Sequence, residues 1–266
     1  MQVDSVKLIY FSPTGSTRRV LQSIAAGIQA AQVDEIDLTP TDAASRTYAE
    51  LGSELTVIGM PVYAGRLPKE AAARLRRLHG NGTPVVLVVV YGNRKFEDAL
   101  VELQDLAAEA GFVPVAGAAF IGEHSYTSVE KPLSVGRPDS DDLAQATKFG
   151  KNLRTKLKPI NSPDELPPLQ VPGDRPYKDL KGDNDITPDT DEMLCTLCEE
   201  CMRACPTGAI TINDYVETDA AKCIVCCACI KVCPTEARVM RNERILKTAD
   251  WLYENYSEPK DPEVFL

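Results

Sequence analysis

All nine cysteines of this 266-residue chain lie between positions 195 and 233, and eight of them obey one spacing used twice. The run "CTLCEECMRACP" places Cys195, Cys198, Cys201 and Cys205 before Pro206. The run "CIVCCACIKVCP" places Cys223, Cys226, Cys229 and Cys233 before Pro234, 28 residues further on. Both read C-x2-C-x2-C-x3-C-P. Thiols confined to one short segment are not distributed as in a disulfide-stapled secreted domain. Cys227 is the one cysteine outside the repeat.

A [4Fe–4S] cluster needs four thiolates at the corners of a cube. Three closely spaced cysteines wrap three corners, and in a bacterial-type run of this kind the fourth serves the other cluster. This assigns Cys195, Cys198, Cys201 and Cys233 to one cluster and Cys223, Cys226, Cys229 and Cys205 to a second. Zinc also uses C-x2-C, but zinc explains neither a third cysteine two residues on nor the C-P that closes both halves. Over roughly 50 residues the segment resembles the two-cluster bacterial ferredoxins, which transfer single electrons. Purely structural clusters are the alternative to a wire. Cys227 falls where those ferredoxins usually have glycine, and is expected to be a free thiol serving as small buried packing or making a weak S–H contact to cluster sulfur.

The net charge of −10 is unevenly placed: residues 1–160 carry 18 basic and 18 acidic side chains, residues 161–266 carry 11 and 21. Two differently charged parts suggest two domains, and the acidic one disfavours nucleic acid or an anionic membrane as partner. The first residues lack the pattern of a signal peptide. The longest apolar run, Val85 to Val90, is too short to cross a bilayer. A soluble, cytoplasmic protein is expected.

Residues 1–157 alternate strand patterns (Lys7–Phe11, Glu35–Leu38, Leu55–Gly59, Val85–Tyr91, Val113–Ile121) with amphipathic helical ones (Thr17–Ala30, Lys69–Leu78, Phe96–Ala110, Asp141–Leu157). Such alternation predicts an α/β fold with a parallel sheet covered on both faces. Runs such as VVLVVV fit strands buried on both sides. Five strands suit the doubly wound order 2-1-3-4-5. Residues 158–191, rich in Pro and Asp without apolar period, read as a linker. Extended, it would reach on the order of 90 Å, so it leaves the docking of the cysteine-rich unit, residues 192–240, unspecified. The remainder, 241–266, holds an amphipathic helix near Arg244–Tyr256.

The first strand runs into "SPTGSTRRV" and then a helix, a junction that gathers free N–H groups and a positive helix dipole around an anion. It is neither a Walker A loop nor a G-x-G-x-x-G fingerprint. Two further loops, "GMPVYAGRLP" and "YGNRKFEDAL", emerge at the same sheet edge, where ligands of doubly wound folds bind. With Ser12, Thr14, Gly15 and Thr17 matching [ST]-x-T-G-x-T, residues 1–157 resemble a flavodoxin domain. The resemblance implies non-covalent FMN, its phosphate held by Ser12, Thr14, Gly15, Ser16 and Thr17. Its ring would lie between loops contributing Pro61, Val62, Tyr63, Ala64 and Gly65 on one side and Tyr91, Gly92, Asn93 and Phe96 on the other. Tyr63 and Phe96 stand where the family's two ring-stacking aromatics would. Ser16 departs from the family's frequent Asn. Arg66 and Arg94 lie beside the expected ring or are solvated loop arginines, and His124 reaches the same edge or is a surface residue.

Nearly the whole chain thus resembles the fused flavodoxin–ferredoxin proteins, which implies a converter between one-electron carriers and two-electron flavin chemistry. Two function classes follow. One is an electron carrier between a ferredoxin-type donor and a redox protein acceptor. The other is an FMN-dependent reductase acting on its own small substrate. No general acid, nucleophile or substrate pocket declares itself, which favours the carrier; a redox sensor would need an output element. The long linker also permits a homodimer.

Overall fold

The computed structural model describes residues 1, 3–49, 51–52, 54–180 and 185–266. Strands β1 (Ser5–Tyr10), β2 (Gln32–Asp37), β3 (Leu55–Pro61), β4 (Pro84–Tyr91) and β5 (Val113–Ile121) alternate with helices α1 (Ser16–Ile28), α2 (Lys69–Leu75), α3 (Ala99–Glu109) and α4 (Ser140–Leu157). The five strands are parallel in the order 2-1-3-4-5, the flavodoxin-like order of doubly wound sheets. All eight residues of β4, PVVLVVVY, are buried, as a central strand with helices on both faces requires.

One face is covered by α2 and α3 around Ile58, Leu75, Leu87 and Leu103. The other is covered by α1 and α4 around Leu8, Ile24, Val88 and Phe149. The buried face of α1 recurs at Val20, Leu21, Ile24 and Ile28, the i, i+1, i+4, i+8 stripe of an amphipathic helix. Gly27 and Gly150 let α1 and α4 cross closely: a Cβ on Gly27 would stand 2.0 Å from the Thr147 carbonyl oxygen.

Beyond α4 the expected loose linker is instead held against α3. Asp98 is buried and accepts from the amides of Asp174 (2.9 Å) and Lys178 (2.8 Å). Gln104 Nε2 donates to the Leu169 carbonyl, and Asp105 receives Arg175 and the Tyr177 hydroxyl. The docking is polar and non-periodic, so no hydrophobic pattern announces it. Residues 181–184 of the expected linker lie outside the described residues.

The cysteine-rich unit follows: β6 (Asp189–Thr190), α5 (Glu200–Arg203), the hairpin β7 (Ile210–Ile212) and β8 (Val216–Thr218), α6 (Ala228–Lys231) and β9 (Arg238–Val239), which pairs antiparallel with β6. Helix α7 (Glu243–Tyr256) starts at Asn242, whose side chain accepts from the Arg244 amide, and buries Ile245, Ala249 and Leu252. The chain then returns to the first sheet. Strand β10 (Glu263–Phe265) pairs antiparallel with β5, so the expected five-stranded sheet gains a sixth strand at that edge. Three residues are too short for a strand signal in the sequence, and their pairing is with residues some 145 positions earlier.

Candidate functional site

The two cysteine runs surround two separate small cavities of similar size. The first is lined by Cys195, Cys198, Cys201 and Cys233, the second by Cys205, Cys223, Cys226 and Cys229. These are the crossed sets expected from the spacing: each run lends its fourth cysteine to the other. Cys227 also lines the second cavity, its Sγ directed 3.6 Å from the Val225 carbonyl.

The cysteines suit a cube better than a single ion. Among the described residues no three His, Cys, Asp or Glu side chains gather as ligands of one metal would; the sulfurs ring a void instead. Burial pushes the Cys226 thiol up to about 12, and raises those of Cys201, Cys223 and Cys229. Thiols so desolvated stay protonated until a bound metal displaces the proton. Sulfur also receives backbone support, with the Ala209 amide donating to Cys205 Sγ at 3.2 Å.

At the C-terminal edge of the first sheet, the loop after β1 ends on Gly15, the N-cap of α1, at φ 82°. That left-handed conformation is what the glycine supplies; the Gly15 amide closes the turn onto the Ser12 carbonyl at 3.1 Å. The Ser12 hydroxyl accepts from the Arg18 amide, and its own amide donates to Thr39 Oγ1. Among the described residues the amides of Thr14, Ser16 and Thr17 have no protein acceptor, so the first turn of α1 offers unpaired donors to an anion.

From this turn opens a large cleft, about 1890 Å3 including its mouth. Ser12, Thr14, Ser16, Thr17, Pro61, Val62, Tyr63, Ala64, Tyr91 and Gly92 line it, as expected of ring and phosphate contacts. Ala64 and Gly65, at φ 53° and 87°, form a tight turn closed by hydrogen bonds between Tyr63 and Arg66 in both directions. Gly65 carries the turn without lining the cleft, and a Cβ there would fall 1.9 Å from Glu97 Oε2.

Two ring-loop expectations are corrected. Phe96 does not face the cleft: it is buried in the core, edge-on to Tyr91 with centroids 5.5 Å apart. Asn93 is 2% exposed, its Nδ2 donating to the carbonyls of Tyr256 and Glu258 at 2.7 Å each, and its Oδ1 accepting from the Lys260 amide. The end of α7 and the segment after it thus capture the Asn93 side chain and turn it from the cleft. Arg66 is not free beside a ring either: Glu102 holds it at 2.7 Å, over the face of Tyr177. Arg94 lines the cleft, paired with Glu97 at 2.6 Å.

Other groups occupy the vacated wall. Tyr126 and His124, from the loop after β5, line the cleft with Trp251 of α7. Burial, with Arg94 and Lys231 nearby, drops His124 to about 4, and its Nδ1 accepts from the Tyr126 amide. The cysteine-rich unit completes the cleft with Cys223, Ile224 and Val225. One cysteine of the second set therefore borders the cavity that starts at the Gly15 turn. Of Tyr126, His124 and Trp251, only His124 was visible in the sequence, and then only as one position with two readings.

Three clasps hold this juxtaposition. Arg74, 4% exposed, donates to the carbonyls of Leu38, Thr39 and Pro40 and, at 2.6 Å, to that of Pro206. Thr41 Oγ1 donates to the Cys205 carbonyl at 2.9 Å. Lys231 pairs with Glu123.

Residues 188–211 match the 4Fe-4S binding domain family. The match contains Cys195, Cys198, Cys201 and Cys205, and stops before the second run. Similar solved structures include a flavodoxin from the domain Archaea (15% identity, TM-score 0.38, 58% of this chain and 99% of that one). A flavodoxin of Streptococcus pneumoniae TIGR4 gives 19% identity and TM-score 0.39 over 57% and 99%. The flavodiiron core Flv1 of Synechocystis gives 21% and 0.44 over 60% and 37%. Comparison with curated proteins gave no match. The chain thus joins a sheet of flavodoxin-like strand order to a segment that matches the 4Fe-4S binding domain model. No helix among the described residues is long and apolar enough to cross a membrane.

Proposed function

We propose that this chain carries electrons between two [4Fe–4S] clusters and an FMN seated in the cleft, linking a ferredoxin-type donor to a redox protein acceptor. When bound, the clusters supply one-electron steps and the flavin one- or two-electron chemistry. The observation that carries the reading is the shared wall: Cys223 and the turn at Gly15 border one cavity.

The chain's own groups divide the work. The unpaired amides of Thr14, Ser16 and Thr17 would hold the phosphate, and the absence of a dinucleotide fingerprint favours FMN over FAD or NAD. Tyr63, Tyr126 and Trp251 offer flat surfaces for a ring. His124, kept neutral by burial, can accept a hydrogen bond without adding charge beside Arg94 and Lys231. Arg74 and Thr41 fix the distance between the two cofactor sites.

Anaerobic extraction and chromatography should recover one FMN per chain with about eight irons. Recovery of FAD, or of no flavin after reconstitution, would overturn the flavin assignment. The electron route is tested on the full chain, because truncation after Leu157 would also remove β10. Flavin reduction by a reduced ferredoxin should be followed by stopped flow before and after cluster removal with a chelator. Equal rates in the two states would sink the carrier reading.

A further inference from the structure

The cysteine-rich unit is internally twofold in backbone as well as sequence. A shift of 28 residues takes Leu197 (φ 54°) to Val225 (φ 52°) and Glu199 (φ 65°) to Cys227 (φ 58°). The same shift takes Ile210 to Arg238. Both are buried, at 4% and 3% exposed. A guanidinium thus fills the position where its twin holds an apolar side chain.

Its surroundings do not neutralise it. Nη1 donates to Thr190 Oγ1 at 2.6 Å and Nη2 to Thr218 Oγ1 at 3.0 Å. Nε is buried with no partner. Among the described residues no carboxylate pairs with Arg238. The chain's other buried arginine, Arg74, spends its donors on four carbonyl oxygens. Arg238 has two hydroxyls and a sulfur: Nη2 lies 3.8 Å from Cys229 Sγ. Burying a charge without a counter-charge is strongly unfavourable, so an anion belongs beside it.

Position supplies that anion. Arg238 lines the cavity ringed by Cys195, Cys198, Cys201 and Cys233, while its Nη2 reaches Cys229 of the other set. An iron–sulfur cube with four thiolates is net negative, and more so when reduced. We propose that Arg238 is the buried counter-ion shared by the two cysteine sets, a positioning residue that stabilises the reduced clusters and holds their potentials up. This rests on the two-cluster reading. It adds an asymmetry, since the set that receives the N–H of Arg238 should feel it more.

The test compares Arg238→Gln, which keeps hydrogen-bond donors without charge, with Arg238→Lys, which keeps the charge. Iron is counted on the anaerobic full chain, and midpoint potentials are read by EPR-monitored titration. With iron unchanged, Arg238→Gln should move both potentials down, the Cys229 set further, and Arg238→Lys should stay closer to wild type. Unchanged potentials in Arg238→Gln, or equal drops in both variants, overturn the proposal. Should Arg238→Gln fail to load iron while Arg238→Lys loads, the loss is that of a counter-ion and supports it; failure of both shows a packing role and overturns it. A wild-type chain with fewer than about eight irons would instead fault the two-cluster reading.

Discussion

Cys198 stands exposed at one end of the cysteine-rich unit, with Met193 at 93% and Leu197 at 41% exposure beside it. Cys226, its counterpart 28 residues on, is buried, and its set borders the cleft through Cys223. Identical spacing thus produces one outward set and one inward set. At the shared left-handed position the outward run has Glu199, exposed to water, and the inward run has Cys227 at 2% exposure. The difference gives the pair a direction: one set opens to solvent, and the other meets the cleft.

Removing one ligand from each set is the severest way to break that comparison. Cys226→Ala and Cys198→Ala should each lower iron from about eight to about four per chain. Only Cys226→Ala should abolish electron passage to the cleft flavin; Cys198→Ala should slow entry from a protein donor while leaving exchange between inner set and flavin. Iron assay with stopped-flow flavin absorbance separates them. Equal flavin reduction in both variants would erase the inward–outward distinction.

Next comes the clasp that holds the inner set in place. Arg74→Met leaves four carbonyls without their donor, and should cost about 2–4 kcal/mol of stability in urea unfolding. Flavin–cluster exchange should slow in parallel. A variant of unchanged stability with wild-type exchange would show that Arg74 does not couple the two regions.

Acid should loosen the inner side through His124. Its folded pKa of about 4 lies below the ordinary 6.5, so the unfolded chain takes up the proton first. The stability it contributes is complete above pH 6.5 and is lost as pH falls toward 4, by up to about 3 kcal/mol before allowance for partial exposure. His124→Asn should flatten that part of the profile. An unaltered slope would place the acid sensitivity elsewhere.

The smallest expected effect belongs to the surplus thiol. Cys227 sits at φ 58°, where glycine is relaxed, so Cys227→Gly should change stability by no more than about 1 kcal/mol and leave the iron count unchanged. Loss of iron in this variant would mean that Cys227, not Cys226, is the inner ligand.

Much of the site was readable because its signals are local. The turn at Gly15 joins adjacent elements, and the crossed cysteine sets follow from spacing that one short segment contains. β4 announced its burial through VVLVVV. What escaped depends on distant partners. Phe96 looks like a ring-stacking residue until it is seen packed edge-on to Tyr91 in the core, and Asn93 looks like a ring contact until the carbonyls of Tyr256 and Glu258 are seen to take it. Tyr126 and Trp251 carry no motif and reach the cleft only through tertiary placement. The run from Leu169 to Lys178 reads as unstructured because it is fixed by hydrogen bonds to Asp98, Gln104 and Asp105 rather than by burying apolar side chains.

Strand β10 changes what kind of object the cysteine-rich unit is. A unit appended to a sheet by one tether wanders through a volume set by that tether's length. Here the chain leaves the sheet layer after α4 and re-enters it at Glu263–Phe265, so the unit is spliced into the sheet's own covalent path. With both ends anchored, its encounter with the cleft is that of a closed loop, in which effective concentration rather than bulk concentration governs contact. Dilution cannot part the inner cysteines from the cavity they border.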